Sequence, residues 1–556
     1  MPSLRRIAPG WLAGYHRAWL RPDLIAGVVI WSVVTPQAVA YAQIAGLPPA
    51  AGLMAAPGAL IAYALVGTSR QLVVSATTAT SAVSAATVGP LAHGDVARFA
   101  ALSAALAVTV AVVLIVAGAL RLGAIADLVS KPVMVGFLFG LGMTVTIAQL
   151  PSLLGVPASD GNFFPRLWDL LGELDDVDGA TVAVGAGSLA VLLGGRRLAP
   201  AIPSTLLVLA LGIAVSAVLS LDDHGVDVVG HIPHALPDPA VPDVNASDIV
   251  ALITPAFGVL ILSAEAVGVA RQLALKHGYR VDANRDLVAL GTGNLVAGLS
   301  SGFVQSGGAS QTAAADGAGG RSQMASIVCA VLVLATGAFL APLFTDLPQA
   351  TLAAIVVVAV AGFYDVAALR RFATIRRSAT VFASIALIGV LVLGVLQGLV
   401  VAAGLSLLYV VQRLSRPSVG VLGRDPAGGV WGRLDRHPGW AAPAGVLAVG
   451  SDGPLFYPNV DAVRRRVVEE VAAADPRPAV VLLDLSRSVE LDVQSADALA
   501  DLAQELQAGG TTLRLAAVHE PAARILRRAG VTPGVRAWPT LDAALEGSAP
   551  VSPRAR

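Results

Sequence analysis

Ser75-Ala76-Thr77-Thr78-Ala79-Thr80-Ser81 and Ser306-Gly307-Gly308-Ala309-Ser310-Gln311-Thr312 are two short, hydroxyl-rich stretches set inside long apolar sequence. Gly67-Thr68-Ser69-Arg70 precedes the first and Ser300-Ser301-Gly302 the second. If the chain is divided near residue 245 into two sevens of apolar segments, each stretch falls in about the third segment of its half. An odd-numbered repeat places its second half upside down relative to the first. Polar-interrupted segments at matching positions of inverted halves point to broken helices that meet at mid-membrane. A helix N-terminus presents unpaired N–H groups and a partial positive charge, so two facing termini bind an anion without a fixed cation. Ala76, Thr77, Thr78, Ala309, Ser310 and Gln311 are therefore the expected substrate-binding residues. Small residues also let membrane helices pack closely, but the matched positions favour a site.

The composition supplies the membrane that this reading needs. Of 556 residues, 55% are hydrophobic and 13% charged, more apolar surface than one soluble core buries. Apolar runs suggest spans at 24–45, 50–66, 73–90, 97–120, 124–150, 179–194, 202–220, 249–270, 282–301, 307–316, 322–341, 348–364, 374–392 and 394–412, about fourteen in all. Arg196, Arg197, the group Arg271, Lys276, Arg280 and Arg285, the group Arg370, Arg371, Arg376 and Arg377, and then Arg413 and Arg416 fall on one side. By the positive-inside rule that side is cytoplasmic. The loop 156–178 has Arg166 as its one basic residue against Asp160, Asp169, Glu173, Asp175, Asp176 and Asp178, and the loop 221–248 has no Lys or Arg, so both face outward. Arg5, Arg6, Arg17 and Arg21 precede the first span as a cytoplasmic anchor rather than a signal peptide.

Lys plus Arg equal Asp plus Glu at 37 each, which gives no electrostatic case for nucleic acid. The single cysteine, Cys329, excludes an intrachain disulfide or a cysteine zinc cluster. His224, His231 and His234 have irregular spacing in a Pro- and Asp-rich loop and read as solvated histidines. No metal, cofactor or catalytic residue is expected.

Within the spans, Glu265 sits mid-way along 249–270, where a charge facing lipid would cost about 2.5 kcal/mol or more. It is expected to face a cavity or a partner and to be a proton or cation site coupled to the anion, with a structural carboxyl, neutral or hydrogen-bonded between helices, as the alternative. Gln37 and Tyr41, in Thr35-Pro36-Gln37-Ala38-Val39-Ala40-Tyr41, lie one helical turn apart on a face that Pro36 loosens. Asp127, Lys131 and Asp365 lie near span ends, where snorkelling or loop roles are the default.

The chain then changes character. Residues 1–20 read as an N-terminal segment, 21–413 as the transmembrane domain, 414–442 as a linker or the edge of the next domain, 443–548 as a one-sided α/β domain and 549–556 as a tail. In that domain, strands are expected at 445–449, 479–485 and 513–518, and helices at 460–473, 492–507 and 521–529. It has no phosphate loop and no nucleophile elbow, so no enzyme is expected.

Several of these segments resemble the sulfate permease (SulP) family of anion transporters with a C-terminal STAS domain. The likeness is carried by Arg21-Pro22-Asp23-Leu24-Ile25-Ala26-Gly27, by Thr35 to Pro49, by Gly67-Thr68-Ser69-Arg70-Gln71, by Val281-Asp282-Ala283-Asn284-Arg285-Asp286-Leu287 and by Gly319-Gly320-Arg321-Ser322-Gln323. The resemblance implies a seven-plus-seven inverted repeat like that of nucleobase transporters, split into a substrate-carrying core and a gate that forms dimer contacts. It further implies elevator-like transport, with substrate between the third and tenth helices, flanked by the first and eighth. Gln37, Tyr41, Thr77, Thr78, Glu265 and Ser310 lie there.

Departures from the family pattern sharpen the expectation. Many members carry Ser-Arg where this chain has Ser310-Gln311, so a cationic anchor is missing. Sodium-coupled members place a hydroxyl one turn after the acidic residue of the eighth helix, where Val269 stands here, and this favours a proton over sodium. Ser75-Ala76 replaces the usual Gly-Pro. Gln494 occupies the position of the phosphorylatable hydroxyl of related STAS domains, with Ser495 displaced by one, so a partner-binding or scaffold role is expected there.

Together these readings describe a multi-pass plasma-membrane secondary transporter of a small inorganic or carboxylate anion such as sulfate or bicarbonate. It is expected to be proton-coupled and homodimeric, with a cytoplasmic STAS domain open to a protein partner. An uncoupled uniporter or exchanger, a nucleobase–proton symporter of the same fold and a non-transporting membrane sensor are the rivals.

Overall fold

The computed structural model describes residues 11–547 except 13, 124–129, 160, 199–203, 231–235, 238, 416, 427–428 and 532–535. Asp127, His231, His234, Asp160, Arg5, Arg6 and Arg416 lie outside the described residues. Contacts divide the chain into two compact units, residues 1–406 and 407–556.

The first unit is helical. α1 (Leu20–Ile44), α2 (Pro49–Val66), the two-residue strand β1 (Val74–Ser75), α3 (Thr78–Ala92) and α4 (Val96–Ala119) come first, followed by α5 (Lys131–Leu154), α6 (Phe163–Gly172), α7 (Gly179–Leu198) and α8 (Ser204–Leu219). The opening pattern then recurs in order as α9 (Ala246–His277), α10 (Ala283–Leu299), β2 (Ser306–Gly307), α11 (Ala309–Gly317) and α12 (Met324–Ala335). α13 (Gln349–Val360), α14 (Val366–Ile375), α15 (Arg377–Leu393) and α16 (Val395–Leu414) complete the helices. Eight helical stretches among the described residues are long and apolar enough to cross a bilayer. Two helices, α6 and α14, lie between expected spans. Each has fewer apolar positions and an amphipathic pattern.

α1 to α4 pack with α9 to α12, while α5 packs with α7, α13 and α15. The interface between the two halves of the first group is held at its margins by carboxylates. Asp23, fully buried near the start of α1, accepts from the N–H groups of Arg321 (2.7 Å) and Ser322 (3.1 Å) and from Ser322 Oγ (2.6 Å). Asp286, at the start of α10, accepts from Thr68 N (2.7 Å) and Thr68 Oγ1 (2.8 Å). Arg98, at the start of α4, donates to Asp248 at the start of α9 (2.9 Å). The ordered motifs of the sequence thus pair in space: Arg21-Pro22-Asp23 meets Arg321-Ser322, and Gly67-Thr68 meets Asp282 to Asp286.

The second unit carries a six-stranded sheet of order β4-β3-β5-β6-β7-β8. Its strands are β3 (Val419–Arg424), β4 (Trp431–Arg433), β5 (Val446–Ser451), β6 (Val480–Asp484), β7 (Thr512–Ala516) and β8 (Arg536–Ala537), with helices α17 (Val460–Ala473), α18 (Val493–Ala508), α19 (Glu520–Arg528) and α20 (Leu541–Glu546). β5 to β8 run parallel, and β3 is antiparallel to both β4 and β5. The stretch 414–442, expected as a linker or an edge, contributes β3 and β4 to this sheet. Gly and Arg in it hide the strands: β4 is a three-residue edge strand, which needs few apolar residues, and β3 is interrupted by Gly420 and Gly423. Alternation along the strands explains the layers. Leu447, Val449, Val481 and Leu483 face α17 and α18, while Ala448, Leu482 and Ala516 face Trp538 and α20, so both faces are covered. A one-sided domain was expected because α20 is a single short amphipathic turn pair with little sequence signal.

Candidate functional site

The site forms where β1 and β2 meet. Val74 pairs with Gly307 and Ser75 with Ser306, antiparallel. The ladder is extended by Gly308 N donating to Val73 O (3.0 Å), and Val73 N donates in turn to Thr312 Oγ1 (3.0 Å). Two-residue strands are marginal by themselves. Their strength comes from what is attached: each strand runs at once into a helix, so the ladder fixes the N-termini of α3 and α11 beside each other.

The two termini are finished differently. Thr77 caps α3 and forms a reciprocal box with Thr80, in which each side chain serves the other's backbone. Gly308 caps α11 with no side-chain hydrogen bond. A Cβ on Gly308 would run into Gln311 Oε1, and one on Gly307 would lie 2.7 Å from Ala266 Cβ. The absence of side chains at these two glycines lets Gln311 fold back over its own helix start. It also lets β2 lie against α9 beside Glu265.

Between the termini lies a cavity of about 260 Å³. Thr77, Thr78, Ala79 and Thr80 line it from α3, and Gly308, Ala309, Ser310 and Gln311 from α11. Tyr41 comes from α1, Leu262 and Glu265 from α9, Leu138 from α5, Ala359 from the end of α13, and Gly362 and Phe363 from the 3-10 turn that follows it. Thr77, Thr78, Ala309, Ser310, Gln311, Tyr41 and Glu265 are thus brought to one space. Gln37 and Ala76 stand behind it: Gln311 Nε2 donates to Gln37 Oε1 (2.6 Å) and reaches Ala76 O (3.5 Å). Ser310 Oγ donates to Gln311 Oε1 (3.2 Å).

Glu265 has neither a hydrogen-bond nor an ion-pair partner among the described residues. No Lys, Arg or His lines the cavity among them. No group of three or more His, Cys, Asp or Glu side chains is placed to hold a metal there or elsewhere in the described chain. Chemically the cavity offers helix N-termini, hydroxyls and one carboxyl, a set that suits reversible binding of a small anion.

Sequence reasoning missed Leu138, Leu262, Ala359, Gly362 and Phe363. These come from helices remote in sequence, and apolar residues in apolar helices carry no local signal. Gly307 and Gly308 did carry one, since a glycine pair just before a helix marks close backbone approach. Of the weaker candidates, Lys131 is exposed at the start of α5 and Asp365 caps α14 by accepting from Ala368 N (2.8 Å). His224 contacts Ser220 O (3.0 Å) in an exposed turn. In the STAS unit, Asp492 caps α18 by accepting from Ser495 N (2.7 Å), and Ser495 itself is fully buried.

Apolar helices of membrane-spanning length, two half-helices whose N-termini meet, and a cavity between them lined by hydroxyls and a carboxyl define a polytopic membrane transporter. The sequence matches the sulfate permease family over residues 20–386 and the STAS domain over residues 441–544, and the chain belongs to that family of anion transporters. A probable sulfate transporter of Mycobacterium tuberculosis (strain H37Rv) is 36% identical over 529 residues, 94% of either chain. Sulfate transporter 1.3 of Arabidopsis thaliana is 28% identical over 542 residues, 91% of this chain and 81% of that one. Among solved structures, the murine Slc26a9 anion transporter in an inward-facing state superposes with TM-score 0.89 at 23% identity, over 98% of this chain and 94% of that chain. The transmembrane domain of the cyanobacterial bicarbonate transporter BicA gives 0.62 at 24% identity, over 70% and 98%.

Proposed function

We propose that this chain is a secondary active carrier that moves a small anion, sulfate or bicarbonate, inward across the plasma membrane together with a proton. The observation that carries this reading is the unpartnered Glu265 carboxyl lining the same cavity as the two half-helix N-termini. Ionised, it repels an anion held at those termini; protonated, it removes the repulsion and supplies an O–H donor. Anion and proton then enter and leave together. Thr78 and Tyr41 add hydroxyl donors, Ser310 adds a third once its hydroxyl turns from Gln311 Oε1 to the anion, and Gln37 and Ala76 hold Gln311 in place.

In this reading, α1 to α4 and α9 to α12 carry the site as one body past α5, α7, α8 and α13 to α16, an elevator-type alternating access. The second group forms the homodimer contact. Both termini and the STAS domain are cytoplasmic, where the domain receives a protein partner.

The test is uptake by proteoliposomes against a panel of sulfate, bicarbonate, chloride, nitrate, dicarboxylates and uracil, under imposed proton or sodium gradients. Proton-driven accumulation of an anion is expected. Glu265→Gln is expected to abolish accumulation while leaving exchange down a gradient. Accumulation that survives intact in this variant would sink the coupling role. Transport indifferent to both gradients would replace the symporter with a uniporter, and uptake of uracil alone would replace the anion with a nucleobase.

A further inference from the structure

The two amphipathic helices α6 and α14 flank opposite ends of one span, α15. At one end Asn162, the residue before α6, donates from Nδ2 to Val392 O (3.4 Å) near the end of α15. At the other, α14 passes through Arg376 directly into Arg377, the first residue of α15. Both short helices also pack against α5. With 17 residues rising about 1.5 Å each, α15 is about 25 Å long, close to the thickness of a hydrocarbon core. Val381, Ile388 and Val392 of α15 are exposed, as residues facing lipid are. α6 and α14 therefore lie at the depths of the two polar surfaces of the bilayer.

The two ends differ in charge. α6 exposes Phe164, Trp168 and Leu171 beside Asp169 and Glu173, an aromatic and acidic surface. α14 is basic. By the 3.6-residue turn, Val366, Leu369, Phe372 and Ile375 share one half of α14, while Arg370, Arg371 and Thr374 share the other. Leu369 and Phe372 are half-buried, whereas Val366 and Ile375, at the two borders with the arginine face, are exposed. From Gln349 to Val395 the sole acidic residue is Asp365, and it caps α14 at Ala368 N (2.8 Å). Arg376 has an interaction of its own, but the exposed side chains of Arg370, Arg371 and Arg377 have neither a hydrogen-bond nor an ion-pair partner among the described residues.

Unpaired guanidinium groups bordered by exposed apolar side chains, at the depth of a headgroup layer, complement a molecule that is anionic at one end and apolar at the other. Guanidinium forks match phosphate oxygens, and the apolar borders enter the acyl region. A soluble anion would leave Val366 and Ile375 without a role, and an apolar protein surface would leave the arginines without one. We propose that α14 is a binding site for anionic phospholipid, with Arg370, Arg371 and Arg377 on the headgroup phosphates and Val366 and Ile375 among the chains. The leaflet on the arginine side then holds α15, and α5 packed against it, at a fixed depth. This site is separate from the cavity and does not depend on what the cavity carries.

The experiment measures thermal unfolding of the full chain in detergent, titrated with dioleoyl phosphatidylglycerol, dioleoyl phosphatidylcholine or inorganic phosphate. Phosphatidylglycerol is expected to raise Tm well above the other two. In Arg370→Gln/Arg371→Gln, the phosphatidylglycerol concentration at half-maximal shift is expected to rise by about tenfold or more, with Tm in plain detergent unchanged. Arg370→Lys/Arg371→Lys, which keeps the charge, retains most of the response. Arg121→Gln/Arg197→Gln removes the same charge from exposed positions at the ends of α4 and α7 and is expected to leave the response intact. An equal response to phosphatidylcholine or to free phosphate overturns the assignment. So does an equal loss in the Arg121 and Arg197 pair, which would make the effect one of net charge. A fall in Tm of the Arg370 and Arg371 pair before any lipid is added, with an unshifted lipid midpoint, overturns it too, because the arginines would then be holding protein.

Discussion

α3 and α11 begin on adjacent strands of the same ladder and face the same cavity, yet they are built to opposite specifications. α3 is 15 residues long and closes its own N-terminus with the Thr77–Thr80 box; α11 is 9 residues long and starts from a bare glycine. The supports behind them differ in the same sense. The loop after α11 is latched to α1 by fully buried Asp23 with three donors, whereas the helix after α3 is latched to α9 by Arg98, whose side chain is 42% exposed. The difference teaches a division of labour. α3 is capped by its own side chains, while α11 has no side-chain cap and depends on the surrounding structure for its position; in the carrier proposed above, α11 would be the terminus that meets the anion.

The comparison can be broken most severely at Asp23. Asp23→Ala leaves two N–H groups and the Ser322 hydroxyl without their charged acceptor, so unfolding of the purified chain is expected to be destabilised by about 2–4 kcal/mol. Scanning fluorimetry in detergent reads this as a lower Tm. Gly308→Ser comes next: it places a hydroxyl cap on α11 and displaces Gln311, making the second terminus resemble the first. Anion affinity in uptake assays is expected to fall about tenfold, equivalent to about 1.4 kcal/mol, with a Tm loss smaller than that of Asp23→Ala from the broken Gln311–Gln37 bond; unchanged affinity would show that α11 does not hold the anion.

Thr77→Ala opens the opposite terminus. Loss of the cap is expected to cost about 1 kcal/mol, seen as a modest fall in Tm, while KM for the anion changes by less than for Gly308→Ser. Equal effects of the two substitutions on KM would erase the proposed asymmetry. Arg98→Gln is expected to be the mildest, below about 1 kcal/mol, since a half-exposed ion pair is largely screened. A Tm loss there as large as that of Asp23→Ala would show that both latches carry equal weight.

Much of this site was legible without coordinates because its chemistry depends on local sequence. Hydroxyl-rich and glycine-rich interruptions in apolar sequence mark helix starts, and a carboxylate within a span marks a cavity, since lipid tolerates neither free backbone groups nor bare charge. Thr77, Thr78, Ser310, Gln311 and Glu265 were found on those grounds. Phe363 and Leu138 were not, because an apolar residue that lines a cavity and one that faces lipid have the same sequence signature. Its face on α1 marks Gln37 in the sequence, but its hydrogen bond to Gln311 depends on a partner 274 positions away.

By itself the sequence determined the membrane-spanning class, the paired broken helices, the acidic residue between them and a separate α/β domain. All of these follow from periodicity, hydropathy and the cost of burying polar groups, which act over a few residues at a time. Only the tertiary structure decided that the two half-helices share one cavity, that β3 and β4 belong to the sheet, and that the Gln311 amide donates to Gln37. Those are properties of long-range pairing, where the partner of each hydrogen bond is set by packing rather than by its neighbours in the chain.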